Sequence, residues 1–189
     1  MNNELHADGK TPPAVRRKTW GMIAGLLGAC FVGVTAYSAV SQVIAVGTME
    51  HSDIVGGPAT VTMRTLTILP GEVLDWHYHL GAGAFTVVTS GMLNVEDGCG
   101  SEVIYTAGQA FLEPPLRVHR GKNLTAGDVV TAQTFIVPSG SLTTEPTGQQ
   151  LCGAPIDVAE CKGDAWTTFN HPRSFVSQGD CIQYVITGD

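Results

Sequence analysis

The sequence predicts an all-β domain of the sandwich or small-barrel class, and three observations carry that reading. Between residues 60 and 137 the chain divides into short runs rich in β-branched and aromatic residues, each closed by glycine or proline. Glycine is abundant, at 23 of 189 residues, while charged residues make up 14%; this balance suits a globular domain with many tight turns better than a disordered or coiled-coil chain. Beyond the N-terminal segment, no apolar period of 3.6 residues reaches helical length.

Residues 1 to 19 are polar and proline-bearing, and are expected to be disordered in the cytoplasm or removed. From Trp20 to Val46 no side chain is charged, and Arg16, Arg17 and Lys18 stand directly before the run. A basic flank followed by an apolar stretch reads as an export signal or a single membrane anchor, with everything after residue 46 outside. Ala36 and Ser38 offer small residues for cleavage, yet the run has the ~20 residues needed to stay in a bilayer. Leu27-Gly28-Ala29-Cys30 resembles a lipid-attachment box, although apolar residues continue past Cys30. The paired arginines lack the pattern of a twin-arginine signal and read as an ordinary basic region.

The barrel is expected over residues 50 to 140. TVTMRTLTILP (60–70) ends at the turn Pro70-Gly71, and VLDWHYH (73–79) follows. AFTVVTS is closed by Gly91, MLNVED by Gly98 and EVIYT by Ala107-Gly108. AFLE stops at Pro114-Pro115, and VVTAQTFIV runs into Pro138. Residues 141 to 160 read as a polar connector and 161 to 189 as a cysteine-bearing tail. No internal repeat is present.

Beyond the leader the chain is acidic, with 15 Asp and Glu against 6 Lys and Arg over residues 47 to 189, a formal charge of −9. Nucleic acid is therefore excluded as a partner, since phosphate binding needs the opposite field. Setting Cys30 aside with the leader leaves Cys99, Cys152, Cys161 and Cys181. An even number in an exported chain predicts disulfides in one of three pairings, and no Cys-x-x-Cys spacing favours zinc.

The chemistry concentrates in three histidines. His77 and His79 on a strand present both imidazoles to one face, because side chains alternate with period two. His119, from a strand brought alongside, completes a facial triad for a divalent cation, and neutral imidazole suits zinc, copper, iron and nickel alike. The same alternation places Asp75 with His77 and His79, in position to accept a hydrogen bond from a ligand histidine, and puts Leu74, Trp76 and Tyr78 on the other face. Gln133 and Arg64 are candidates to point inward and orient a ligand. His51 and His171 read as surface histidines, and Trp166 with Phe169 as anchors of the tail.

In this region the chain resembles the cupin superfamily. Gly71, His77, His79 and Gly91 match its first motif, with Ala84 at the glutamate position. Gly108, Pro114, His119 and Asn123 match the second, with Leu116 in place of the inner glycine. The likeness is nearest to small single-domain cupins of secreted bacterial proteins. It implies a jelly-roll β-barrel, to which the apolar leader adds an N-terminal export or anchor helix and the tail a small C-terminal extension. It also implies a divalent transition metal (iron, manganese, nickel or zinc) held by His77, His79 and His119. Without a carboxylate the site would carry +2 rather than +1 and favour an anionic chelating ligand at the vacant Ala84 corner. Glu113, just before Pro114, is a candidate substitute whose distance from the metal the sequence does not fix.

The tail resembles a short segment at the end of many secreted bacterial proteins, with its Cys, Trp-x-x-Phe and closing Gln-Gly-Asp-Cys. That likeness implies a Cys161–Cys181 bridge, leaving Cys99 and Cys152 to pair or stay free. The functional expectation is an exported metal-dependent enzyme, oxygenase- or isomerase-like, acting on a small chelating organic molecule. The alternatives are a non-catalytic ligand- or metal-binding module and a structural domain with a vestigial site. A homodimer and a membrane contact through an uncleaved N-terminal segment are further expectations.

Overall fold

The computed structural model describes residues 39–188. Among the described residues, ten strands form two antiparallel sheets. The first contains β1 (Val40–Ser52), β2 (Gly57–Ile68), β9 (Val129–Pro138), β4 (Ala84–Ser90) and β7 (Ala110–Glu113), in that order. The second contains β10 (Glu145–Pro146), β3 (His77–Tyr78), β8 (His119–Lys122), β5 (Met92–Asp97) and β6 (Glu102–Thr106). The punctuated strand pattern predicts this all-β architecture, and the cupin resemblance implies its jelly-roll form.

Strand β9 shows how the sequence builds the interior. It lies between β2 and β4 and alternates buried and half-buried residues along its whole length. Its buried face reads Val129, Thr131, Gln133, Phe135, Val137. The two ends pack into apolar clusters, Val129 with Leu66, Ile68, Val88 and Leu93, and Phe135 and Val137 with Ala84. Thr131 and Gln133 interrupt that face where both line a cavity, and a polar interruption of a core face needs partners or a ligand.

The structure moves three boundaries. Strand β1 begins at Val40, six residues inside the segment expected to end the leader at Val46, and pairs with β2 from Val40↔Thr67 to Ser52↔Gly57. A charge-free Val/Ile/Ala run satisfies a strand as readily as an apolar helix, so composition alone did not separate them. Residues 1–38 of the expected leader lie outside the described residues. No helix among the described residues is long and apolar enough to cross a membrane.

VLDWHYH, expected as one seven-residue strand, is strand only at His77–Tyr78, with an isolated bridge Val73↔Lys122 before it. Its alternation lapses there: Leu74 and Asp75 both line the same cavity as His77.

The tail, which shows no apolar period of helical length in the sequence, ends in α1 (Gln178–Thr187). Ser177 caps it by accepting from the backbone N–H of Asp180, and Gly188 closes it at φ 81°. At ten residues, with Cys181 and Tyr184 alone buried, the helix shows too little apolar period to be read from sequence. Two 3-10 turns precede it at Val158–Cys161 and Ala165–Thr168. Both disulfides form, Cys99–Cys152 and Cys161–Cys181. They seat the tail on its own cluster of Phe169, Phe175 and Tyr184, where Arg173 lies over the Phe175 and Tyr184 rings.

Candidate metal centre

The antiparallel pairing of β3 with β8 sets His77 directly opposite His119. His79 follows two residues after His77, and the three imidazole centroids lie 4.5–5.1 Å apart. Strand β7 adds a fourth group. Glu113 Oε2 lies 2.7 Å from His79 Nε2 and 3.1 Å from His119 Nε2. One ligand-type atom from each of His77, His79, Glu113 and His119 falls within 4.8 Å of the others.

Backbone carbonyls fix the imidazole tautomers. His77 Nδ1 donates to the carbonyl oxygen of Asp75 at 2.8 Å, His79 Nδ1 to that of Thr143 at 2.6 Å, and His119 Nδ1 to that of Arg117 at 2.9 Å. A carbonyl oxygen can only accept, so each Nδ1 carries its proton and each neutral ring keeps a lone pair on Nε2. Two of those lone pairs face a carboxylate oxygen at hydrogen-bond distance. Such a contact needs a cation in the middle, either a proton or a metal ion. Four inward-facing N and O donors with protonated, anchored outer nitrogens are the donor set a divalent transition metal takes. The residues present therefore fit the metal that the sequence implies.

The electrostatics agree. Burial opposes ionisation of Glu113, but the His119 and His79 imidazoles outweigh it and hold the carboxyl well below its usual range. Burial, followed by the neighbouring His119 and His79 rings, pushes His77 down to about 3. His119 is likewise opposed by burial, yet its bond to Glu113 carries its pKa above the ordinary value. Glu113 Oε1, the other carboxylate oxygen, accepts from Thr86 Oγ1 at 2.8 Å and from Gln133 Nε2 at 3.5 Å.

The sequence candidates thus divide. His77, His79, His119 and Glu113 come together. Gln133 is buried beside the cluster, linking Glu113 to Arg64. Asp75 serves through its carbonyl oxygen rather than the expected carboxylate, because the chain around it is not in strand conformation and its side chain is exposed. His51 is exposed beside Asp53. His171, expected at the surface, is half-buried against Tyr78, with ring centroids 4.7 Å apart. Sequence reasoning missed Thr86, Thr143 and the carbonyl of Arg117. The Thr86 signal was a lone polar residue on the buried face of AFTVVTS; Thr143 in the connector gave none.

A cavity of about 350 Å³ opens beside the cluster, with His77, His119, Glu113, Gln133 and Arg64 on its polar side. Its apolar side comes from β2, β5 and the chain before β3, including Leu66, Ile68 and Leu93.

The family model described as the cupin domain matches residues 64–137, the stretch that holds all four clustered side chains. Over that stretch the chain is similar to cupin domains. No curated protein matches this chain. Among solved structures it is similar to a cupin superfamily protein from Desulfitobacterium hafniense, at 12% identity over 53% of this chain and 78% of that one (TM-score 0.40). It is also similar to a double-stranded β-helix protein from Klebsiella pneumoniae, at 19% over 57% and 84% (TM-score 0.43). An oxalate oxidase in complex with the substrate analogue glycolate matches at 24% over 40% of this chain and 41% of its own (TM-score 0.36).

Proposed function

We propose that this cupin is a metal-dependent enzyme, of the oxygenase or isomerase type, acting on a small chelating organic molecule. His77, His79, His119 and Glu113 hold a single divalent transition ion. The observation that carries the reading is the set of three Nδ1 atoms committed to carbonyl oxygens, which leaves three Nε2 lone pairs and one ionised carboxylate facing a common point. A buried array of this kind without a cation would leave donors and charge uncompensated, at a cost of several kcal/mol. When bound, a divalent ion supplies Lewis-acid polarisation of a substrate oxygen or, for a redox metal, electron transfer.

The remaining steps belong to the chain's own residues. Glu113 lowers the charge of the site, and Thr86 and Gln133 fix its carboxylate. The carbonyls of Asp75, Thr143 and Arg117 hold the rings in one tautomer and raise their basicity. The cavity admits a small molecule beside the cluster while its apolar wall displaces water. We further propose that the protein is exported: two disulfides among the described residues suit an oxidising compartment, and the Arg16–Val46 pattern supplies a route.

Elemental analysis of the protein purified from its native compartment tests the metal, and turnover or oxygen uptake with a panel of small chelating acids, ketones and diols tests the enzyme. Stoichiometric metal with turnover supports both claims. Metal with tight binding and no turnover makes this a binding module instead.

A further inference from the structure

Arg64 stands apart from the other described arginines. Arg117, Arg120 and Arg173 each lie within salt-bridge distance of a carboxylate, on Glu160, Glu96 and Asp180. Arg64 has no such partner among the described residues. Its Nε donates to Gln133 Oε1 at 2.9 Å, one Nη to Thr144 Oγ1 at 3.4 Å, and its guanidinium lies 4.5 Å from the Phe135 ring centroid. A guanidinium carries five N–H donors in a fork shaped for a carboxylate, so two bonds leave most of that capacity unused.

Its position makes the vacancy meaningful. Arg64 is half-buried in the wall of the 350 Å³ cavity, beside the metal cluster and opposite an apolar lining. Burial lowers its pKa, and the charge of Glu113 offsets this in part. Glu113 is already committed to two imidazoles, Thr86 and Gln133. In the same cavity Thr131 has its hydroxyl oxygen buried with no partner. With a divalent ion and ionised Glu113 the cluster carries +1, and Arg64 brings the polar side to +2. The other carboxylate lining the cavity, Asp75, is exposed to water. Such a cavity is selective for an anion.

We infer that Arg64 anchors the carboxylate of a small organic acid whose apolar body fills the cavity and whose far end reaches the His77–His79–Glu113–His119 cluster. The anchor deepens the proposed function, and its last clause rests on that reading. Gln133 sits between the two points, bonded to Arg64 on one side and Glu113 on the other, so anchor and cluster are about one side-chain amide apart. At about 30 Å³ per heavy atom, the volume accepts on the order of ten non-hydrogen atoms.

The test is calorimetric titration of the purified full-length protein, its metal content measured, with straight-chain monocarboxylates from butanoate to octanoate and with their primary amides. At least one acid is expected to bind, about tenfold or more tighter than its amide, as a charge-assisted pair requires. Arg64→Gln is expected to erase that preference while keeping the metal content, and Arg64→Lys to retain part of it. Should Arg64→Gln not fold, a reduced preference in Arg64→Lys decides the matter. The inference is overturned if no acid of the series binds, if amides bind as tightly, or if the Arg64 variants keep the full preference. An Arg64-dependent preference in protein without metal leaves the anchor standing and defeats the metal reading. Stoichiometric metal with no preference does the reverse.

Discussion

Ala84 and Glu113 are register partners on adjacent antiparallel strands, β4 and β7, and both are buried. The position where the superfamily motif carries its glutamate is alanine here, and the carboxylate comes from the residue directly across the ladder. Directly opposed residues of an antiparallel pair present their side chains to the same face, with Cβ atoms about 5 Å apart. A carboxylate lost from one strand can therefore be replaced from its neighbour without disturbing the fold. The site keeps the charge of a three-histidine, one-glutamate set, and the vacant +2 corner expected from Ala84 alone does not arise.

That relationship predicts a rescue. Glu113→Ala is expected to weaken metal binding by more than the ~10- to 100-fold that follows loss of a hydrogen-bond partner behind a ligand, because Glu113 is itself one of the proposed ligands. The double variant Ala84→Glu with Glu113→Ala is expected to recover part of the loss. Metal affinity measured by competition with a chromogenic chelator checks both.

Gly83 holds the two strands at this spacing. Its φ is +76°, and a Cβ there would lie 2.0 Å from the carbonyl oxygen of Glu113. Gly83→Ala is expected to destabilise the protein by about 2 kcal/mol or more through backbone strain and steric clash, and to displace Glu113 from the imidazoles. Denaturant melts and metal content together read out this change.

How much of this was legible in the chain differs from residue to residue. Strands β4, β5, β6, β7 and β9 fall where the Gly/Pro punctuation places them, and the pairing of His77 with His119 follows from two strands carrying the histidines. Strand β1 was hidden because an unbroken apolar run has no period to distinguish strand from helix. Glu113 could be named but not placed, since the register of β4 against β7 is a long-range property that no local pattern encodes. The carbonyls that orient the rings carry no side-chain signature at all.

The pH dependence of the metal-free protein follows from His77. Its folded pKa, about 3, lies below the ordinary 6.5, so between those values the unfolded chain binds more protons. The contribution is full above pH 6.5 and is lost as pH falls towards 3. Glu113, also depressed, adds a loss of the same sign below its ordinary 4.5. His119, whose pKa is raised, acts oppositely: its contribution is present below 6.5 and is lost as pH rises through its folded value. Urea midpoints of metal-free wild type and His77→Gln between pH 7 and 4 should show the shallower fall in the variant. An equal slope would show that His77 does not titrate as described.

The two disulfides are expected to differ in weight. Cys99–Cys152 spans 53 residues and ties the β5–β6 turn to the connector before the tail, whereas Cys161–Cys181 spans 20 within the tail. In the chain-entropy account these lengths correspond to about 4 and about 3 kcal/mol. Thermal midpoints of the paired serine variants should fall further for Cys99→Ser with Cys152→Ser.

The central claim is that four side chains from β3, β7, β8 and the turn after β3 converge to hold one ion. Metal titration of chelator-treated protein, followed by elemental analysis after gel filtration, tests it most directly. One equivalent of a divalent transition metal should remain with the wild type and be lost from His77→Ala and from Glu113→Ala. Folded wild-type protein that retains no metal, or a Glu113→Ala variant that retains it undiminished, would contradict the account.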